Sequence, residues 1–269
     1  MAPPSSSPAI FITGAAAGIG RATALRFARQ GWFVGISDAD APGLDSLSRE
    51  LGATPLCAGH FAAPLDVRDM AAWQDVLTRF WQAAGQRMDA LFNNAGIAVT
   101  APFEEADVQR HRLLVEVNLI GMIQGYHAAH PYLKQTPHSL VINMCSASAL
   151  YGQPMLSTYS ATKAAVRALT EALNIEWARQ GIQVIDLLPL FVNTGMVRDE
   201  VSRMKTVSLL GVRLSADDIA AQAWARAQAR HRRLPVHTHV GWQTRLFAVL
   251  SKLSPSAINR LVTAWLGGY

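Results

Sequence analysis

The residues best equipped for chemistry lie between Ser146 and Lys163, in the run that starts at Cys145 and reads C-S-A-S-A-L-Y-G-Q-P-M-L-S-T-Y-S-A-T-K. If the chain is helical beyond Pro154, Tyr159 and Lys163 stand at i and i+4, on one face and one turn apart. A phenol near its reference pKa of about 10 is a poor base at neutral pH, and a neighbouring ammonium favours the phenolate. Tyr159 then becomes able to give or take a proton near pH 7. Ser146 follows Leu140, Val141 and Ile142, an apolar run that reads as a buried strand. The strand end would aim its hydroxyl at the helix start, where it can bond a reacting oxygen. A Tyr-x-x-x-Lys pair alone also describes a solvated helix surface, so the elements around it must decide.

Those elements alternate. Ala9-Ile10-Phe11-Ile12-Thr13 is a short apolar run that ends in Gly14, Ala15, Ala16, Ala17, Gly18, Ile19 and Gly20, then continues amphipathically to Gly31. This is strand, glycine turn, helix, with backbone N–H groups free to face a phosphate at the helix start. A second buried strand, Trp32 to Ser37, ends at Asp38, where a dinucleotide fold places the carboxylate that reads the ribose of NAD and repels the extra phosphate of NADP. An ordinary loop or capping role is the alternative for Asp38. No Lys or Arg occurs among Ala15 to Ala17, and Arg21 is expected to point elsewhere.

Further on, Pro42 to Glu50 reads as a polar helix. The stretch 53–65 is irregular, with Pro55, Gly59 and Pro64 interrupting a third strand that ends at Leu65-Asp66-Val67. A helix over about 70–84 leads to a fourth strand, Met88 to Phe92, and to Asn93-Asn94-Ala95-Gly96, whose amides tolerate unusual torsions and offer hydrogen bonds. From Glu104 to about Tyr132 the pattern is helical, and Asn118 can loosen a turn and admit water or simply lie solvated. The strand at 140–144, the reactive helix to about Gln180, and a sixth strand from Ile182 to Leu188 ending at Pro189 follow. This alternation predicts an α/β domain with a parallel, doubly wound sheet of about seven strands and helices on both faces.

The 269 residues, half of them apolar, suit one such domain. Cys57 and Cys145 are the only cysteines, which suggests neither a disulfide framework nor a zinc site and fits a reducing cytoplasm. Residues 1–8 read as a disordered lead rather than a secretory signal, and no apolar run is long enough to span a bilayer. The net charge of +5 is scattered apart from Arg230, His231, Arg232 and Arg233, so nucleic-acid binding is not expected.

With these residues assembled, the chain resembles the short-chain dehydrogenase/reductase family over nearly its whole length. The resemblance rests on T-G-x-x-x-G-I-G at Thr13 to Gly20, on Asp66, on N-N-A-G at Asn93 to Gly96, and on Asn118, Ser146 and Y-x-x-x-K at Tyr159 to Lys163, all in the family's order. It implies a Rossmann-type fold and a tetrad: Ser146 orients the substrate oxygen, Tyr159 transfers the proton, Lys163 binds the nicotinamide ribose and lowers the Tyr159 pKa, and Asn118 holds a water that passes the proton on. It also implies a cofactor site. The glycine turn, Gly14, Ala17, Gly18, Ile19 and Gly20, would serve the phosphates and Asp38 the ribose, with Asp66 and Val67 also at the cofactor. Asn93, Ala95, Gly96, Pro189, Val192 and Thr194, with Tyr159 and Lys163, would line the rest. One departure is plain: Leu190 follows Pro189 where many members carry glycine, which narrows or displaces the path beside the nicotinamide.

Substrate choice falls to the C-terminal third. Residues 195–213 carry Met196, Val197, Val201, Met204, Val207, Leu209 and Leu210, an apolar lid that suits hydrophobic substrates or simply packs on the sheet. A helix over 216–229 and a seventh strand at about Leu234 to Thr238 precede the apolar tail 241–269, whose helical pattern is broken at Pro255. Three roles compete for the tail: subunit packing, a wall of the substrate pocket, and membrane-surface contact aided by Arg230, Arg232 and Arg233. The expected activity is an NAD(H)-dependent oxidoreductase interconverting a secondary or lipid-like alcohol and its carbonyl, with NADP disfavoured. A cofactor-sensing protein without turnover is the rival, against which the intact Tyr159 and Lys163 argue. Small residues on the helices over 104–132 and 153–180 predict a homodimer or homotetramer.

Overall fold

Side chains alternate along β1 (Ala9–Thr13): Ile10 and Ile12 enter one buried cluster, Ala9 and Phe11 another, and all four are fully buried. A strand buried on both faces must lie inside a sheet covered by helices on both sides, and the computed structural model, which describes residues 7–201 and 204–269, has that architecture. Seven parallel strands run in the order β3-β2-β1-β4-β5-β6-β9. Besides β1 they are β2 (Phe33–Asp38), β3 (His60–Pro64), β4 (Ala90–Asn93), β5 (Leu140–Met144), β6 (Gln183–Pro189) and β9 (His237–Val240). Two short strands, β7 (Val192–Asn193) and β8 (Leu214–Ser215), pair with each other beside the sheet.

On the Ile10 face, α1 (Gly18–Ala28), α2 (Ala41–Gly52) and α8 (Ala216–Gln228) contribute Phe27, Leu44 and Ile219. On the Phe11 face, α3 (Met70–Ala83), α5 (Gly121–Leu133) and α6 (Ser157–Ala178) contribute Trp73, Phe80, Tyr126 and Trp177. The remaining helices are α4 (Val108–Val115), α7 (Lys205–Leu210), α9 (Trp242–Leu253) and α10 (Ser256–Gly267). The lead expected over residues 1–8 falls mostly outside the described residues, as do 202 and 203 of the apolar lid.

Four local readings change. The third strand occupies His60–Pro64 and stops before Leu65-Asp66-Val67; it lies at the sheet edge, where the missing Pro64 N–H costs no ladder bond. The helix read as polar buries Leu44, Leu47 and Leu51, three positions one turn apart. The long helix over 104–132 divides into α4, a π turn at Glu116–Ile120 and α5. The last strand starts at His237 rather than Leu234, because Pro235 cannot donate to the ladder and the first pairing is Asp186 N–H to the Val236 carbonyl.

Candidate active site

The sheet order reverses between β1 and β4, and in such sheets a crevice opens beyond the carboxyl ends of the two strands. Asn94 stitches its walls together. Its side-chain amide donates to the Thr13 and Gly14 carbonyls at 2.9 and 3.0 Å, and the Asn94 and Ala95 N–H groups both donate to Thr13 Oγ1 at 3.1 Å. Gly14 has φ +63°, and a Cβ there would stand 2.8 Å from Ala95 Cα. Only glycine lets the turn pass this close to β4.

The crevice is a cavity of about 510 Å³. Gly14, Ala17, Gly18 and Ile19 form its floor, Asp38, Asp66 and Val67 one end, and Ala95, Gly96, Lys163, Pro189, Val192 and Thr194 the other. Two expected residues do not face it. Gly20 packs against the Gly14 carbonyl, and Asn93 is buried at the end of β4. Asp38 accepts hydrogen bonds from the N–H groups of Ala16 at 2.9 Å and Asp40 at 3.0 Å, so it anchors the glycine turn while still fronting the cavity. Arg21 is directed away, to Glu50 at 2.6 Å. Arg68, which the sequence reading passed over, also lines the cavity. Its guanidinium grips Asp66 through Nε at 3.0 Å and Nη2 at 2.6 Å, and this holds the Asp66 carboxyl below its ordinary pKa. Its place two residues after Asp66 was the only available signal.

At the inner end of the crevice, β5 and α6 bring the expected chemistry together. Ser146 follows β5 in extended conformation, its Oγ accepting the Ser148 N–H at 3.2 Å. Tyr159 lies in the first turn of α6, and it lines the same two cavities as Ser146. Lys163 is buried, its Nζ donating to the Met144 carbonyl at 2.8 Å and standing 5.6 Å from the centre of the Tyr159 ring. Burial pushes the Tyr159 pKa up to about 12, against the opposing influence of the Ser146 hydroxyl, and pushes the Lys163 pKa down. The sequence reading had Lys163 lowering the Tyr159 pKa; in the folded chain desolvation wins, because both groups leave water together.

Asn118 sits in a loosened turn, one of the two places the sequence allowed it. It is fully buried in the π turn and clamps Ile97, Oδ1 accepting the Ile97 N–H at 2.8 Å and Nδ2 donating to its carbonyl at 2.9 Å. It thereby fixes the strand end that carries Gly96, beside Lys163.

A second cavity, of about 270 Å³, adjoins the first. Ser146, Tyr159, Leu190, Met196 and Val197 line both. Its walls are apolar, from Leu156 and Phe191, from Met204 of the lid, and from Trp242, Leu250 and Leu266 of the tail. Four polar residues besides Ser146 and Tyr159 line it: Ser148, Gln153, Thr206, whose hydroxyl donates to the Leu266 carbonyl at 3.1 Å, and Gln243. The Ser148 Oγ and Gln153 Oε1 are buried without a hydrogen-bond partner. Neither was singled out from the sequence, since nothing in a loop composition says which amides turn inward.

The residues fit a dinucleotide: a glycine turn whose close approach a Cβ would block, N–H groups at the start of α1, and a carboxylate at the end of β2. Comparison with known proteins agrees. A family model described as short chain dehydrogenase matches residues 8–205. The chain is 32% identical over 198 residues to a 3-oxoacyl-[acyl-carrier-protein] reductase of Thermotoga maritima, covering 74% of this chain and 79% of that protein. Among solved structures, a 3-ketoacyl-(acyl-carrier-protein) reductase from Brucella melitensis complexed with NADH superposes with a TM-score of 0.78 at 28% identity, over 88% of this chain and 98% of that one. An alcohol dehydrogenase from the archaeon Thermococcus sibiricus, complexed with 5-hydroxy-NADP, gives 0.77 at 25% identity, over 87% and 96%. Sequence match and site geometry thus meet on one conclusion: the chain belongs to the short-chain dehydrogenase/reductase family, oxidoreductases that act on CH–OH groups.

Proposed function

We propose that the protein is an NAD(H)-dependent oxidoreductase that interconverts a hydrophobic, secondary or lipid-like alcohol and its ketone or aldehyde. The observation that carries this reading is the junction itself: Ser146 and Tyr159 both line the crevice suited to a dinucleotide and the apolar chamber beside it. A nicotinamide bound in the crevice would supply or accept the hydride. For reduction, Ser146 Oγ holds the carbonyl oxygen and the Tyr159 hydroxyl, kept protonated by burial, gives it a proton as the alkoxide forms. For oxidation, Tyr159 as phenolate takes the alcohol proton. Lys163, immobilised on the Met144 carbonyl, keeps a positive charge beside the phenol when it ionises. Asn118 holds the Ile97 backbone against this group.

NAD(H) is favoured over NADP(H) by charge. Asp38 fronts the crevice where a ribose phosphate would sit, while Arg21 and Arg68 already engage Glu50 and Asp66. Both cysteines are free thiols, which fits a cytoplasmic enzyme. The deciding experiment is a panel of short and long-chain alcohols and carbonyls, assayed with each nucleotide. Turnover of hydrophobic members with NAD(H), abolished in Tyr159→Phe while nucleotide binding persists, is the expected result. Nucleotide binding with no turnover anywhere on the panel would replace the enzyme with a cofactor-sensing protein.

A further inference from the structure

Helices α9 and α10 each leave an apolar stripe uncovered. Along α9, Trp242, Leu246, Val249, Leu250 and Leu253 recur at helical spacing and are all about half exposed or more, Leu253 reaching 77%. Along α10, Ile258, Leu261, Val262 and Trp265 do the same, with Leu261 at 69% and Trp265 at 61%. Single exposed leucines are ordinary; nine large apolar side chains on two consecutive helices, joined by Asn259 donating to the Ser251 and Ser254 carbonyls, are not.

Charge selects what covers them. Beyond Asp218 the chain has no Asp or Glu, yet it carries Arg226, Arg230, Arg232, Arg233, Arg245, Lys252 and Arg260. The cluster at 230–233, which sequence reading credited with membrane contact, is elsewhere. Arg230 is buried on Asp89, and the Arg230 and Arg232 carbonyls bind Gln183 at the start of β6, the sheet end opposite the site. The cations that do accompany the stripes are Arg245 and Lys252, exposed on α9 one turn from Val249 on either side, and Arg260, exposed on α10. Arg213 sits 5.9 Å from the Trp242 ring. Two copies facing each other through such surfaces would bring like charges together, whereas lipid phosphates would neutralise them.

The apolar chamber has the same wall. Trp242, Leu246 and Leu250 line it on one side and are exposed on the other. We propose that α9 and α10 form a docking surface for an anionic lipid bilayer, lying in the headgroup region with the chamber opening toward the acyl chains. Loading of substrate from the bilayer rests on the hydrophobic-substrate reading above; docking does not.

The test uses the full chain and vesicles of phosphatidylcholine alone or with about one third phosphatidylglycerol, a fraction sufficient for a marked surface potential. The protein should co-sediment with the anionic vesicles at least about tenfold more strongly than with the neutral ones, and the difference should shrink as salt is raised. Leu253→Glu with Leu261→Glu should lose this binding yet keep the wild-type melting temperature and nucleotide affinity, since neither residue lines a cavity. Arg245→Gln with Lys252→Gln should lose only the preference for anionic lipid. Failure to sediment with either vesicle would overturn the proposal, as would equal binding to both. A drop in oligomer size in Leu253→Glu with Leu261→Glu would overturn it in favour of a second copy. Vesicle binding by an enzyme that turns over only small polar alcohols would leave docking standing and remove the substrate reading.

Discussion

Tyr159 is held protonated by its own burial, with Ser146 pulling the other way. Reduction needs the phenol and oxidation the phenolate, so the two directions should respond to pH differently. Alcohol oxidation is expected to climb steadily from about pH 7 to 9 while carbonyl reduction stays level over the same range. Initial-rate profiles in both directions check this; a falling oxidation limb would assign the proton to another group. Tyr159→Phe should lower kcat by about 10²–10⁴-fold with melting temperature and nucleotide affinity unchanged. At Asp38, substitution by alanine removes a like-charge clash of about 1–3 kcal/mol against a ribose phosphate. The ratio of NADPH to NADH dissociation constants, read by cofactor fluorescence, should narrow accordingly. The ratio is the useful quantity, because losing the bond to Ala16 N–H weakens both nucleotides alike.

Among the elements, the outermost seam of the sheet is pinned by one histidine. His237 on β9 bonds the fully buried Asp186 of β6 through Nδ1 at 3.0 Å and Glu171 of α6 through Nε2 at 2.9 Å. Asp186 and, more weakly, Glu171 raise its pKa above the ordinary imidazole value, against a burial effect of opposite sign. A raised folded pKa contributes stability that is complete below about 6.5 and fades as pH rises through the folded value. His237→Phe leaves Asp186 without this partner and should cost about 3 kcal/mol in acidic buffer. Thermal melts across pH should show the gap to wild type widest near pH 6 and narrower by about pH 8. The same helix α6 carries Tyr159 and Lys163, so a loosened seam is also expected to reduce turnover.

At the scale of the molecule, one assembly argument made from the sequence divides in two. Gly121, Gly125, Ala128 and Ala129 of α5 face inward: a Cβ on Gly121 would meet Val67 at 2.7 Å, and one on Gly125 would stand 2.8 Å from Asn93 Oδ1 and 2.9 Å from Trp73. Their smallness serves close packing within the chain. On α6 the outward row Ala161, Ala164, Ala168 and Ala172 ends in Ile175, which is 75% exposed. That row is a flat apolar strip fit for the same strip of a second copy about a two-fold axis. Light scattering should find a dimer or tetramer at micromolar concentration, and Ala168→Arg should reduce it to a smaller species. A monomeric wild type would reject this assembly.

The sequence by itself determined the alternation of strands and helices, the glycine turn after β1, the carboxylate after β2, and the Ser146, Tyr159 and Lys163 set, because these are local patterns: period-2 burial, strand-end glycines, and i to i+4 spacing. It also marked Leu190 as unusual, and Leu190 proves to line both cavities. What depends on distance through space was decided only by the tertiary structure. Which face of α5 is occupied, where the Asn118 amide turns, that Arg68 spends its charge on Asp66, and that Ser148 and Gln153 enter the chamber all follow from packing partners far along the chain. The Tyr159 pKa belongs to the same class. Spacing places an ammonium near a phenol, but the depth of burial sets which influence prevails. The tail shows the division most clearly: its apolar helical pattern is legible in the residues, while its two faces, one on the chamber and one uncovered beside Arg245 and Lys252, exist only once α9 and α10 are folded against the lid.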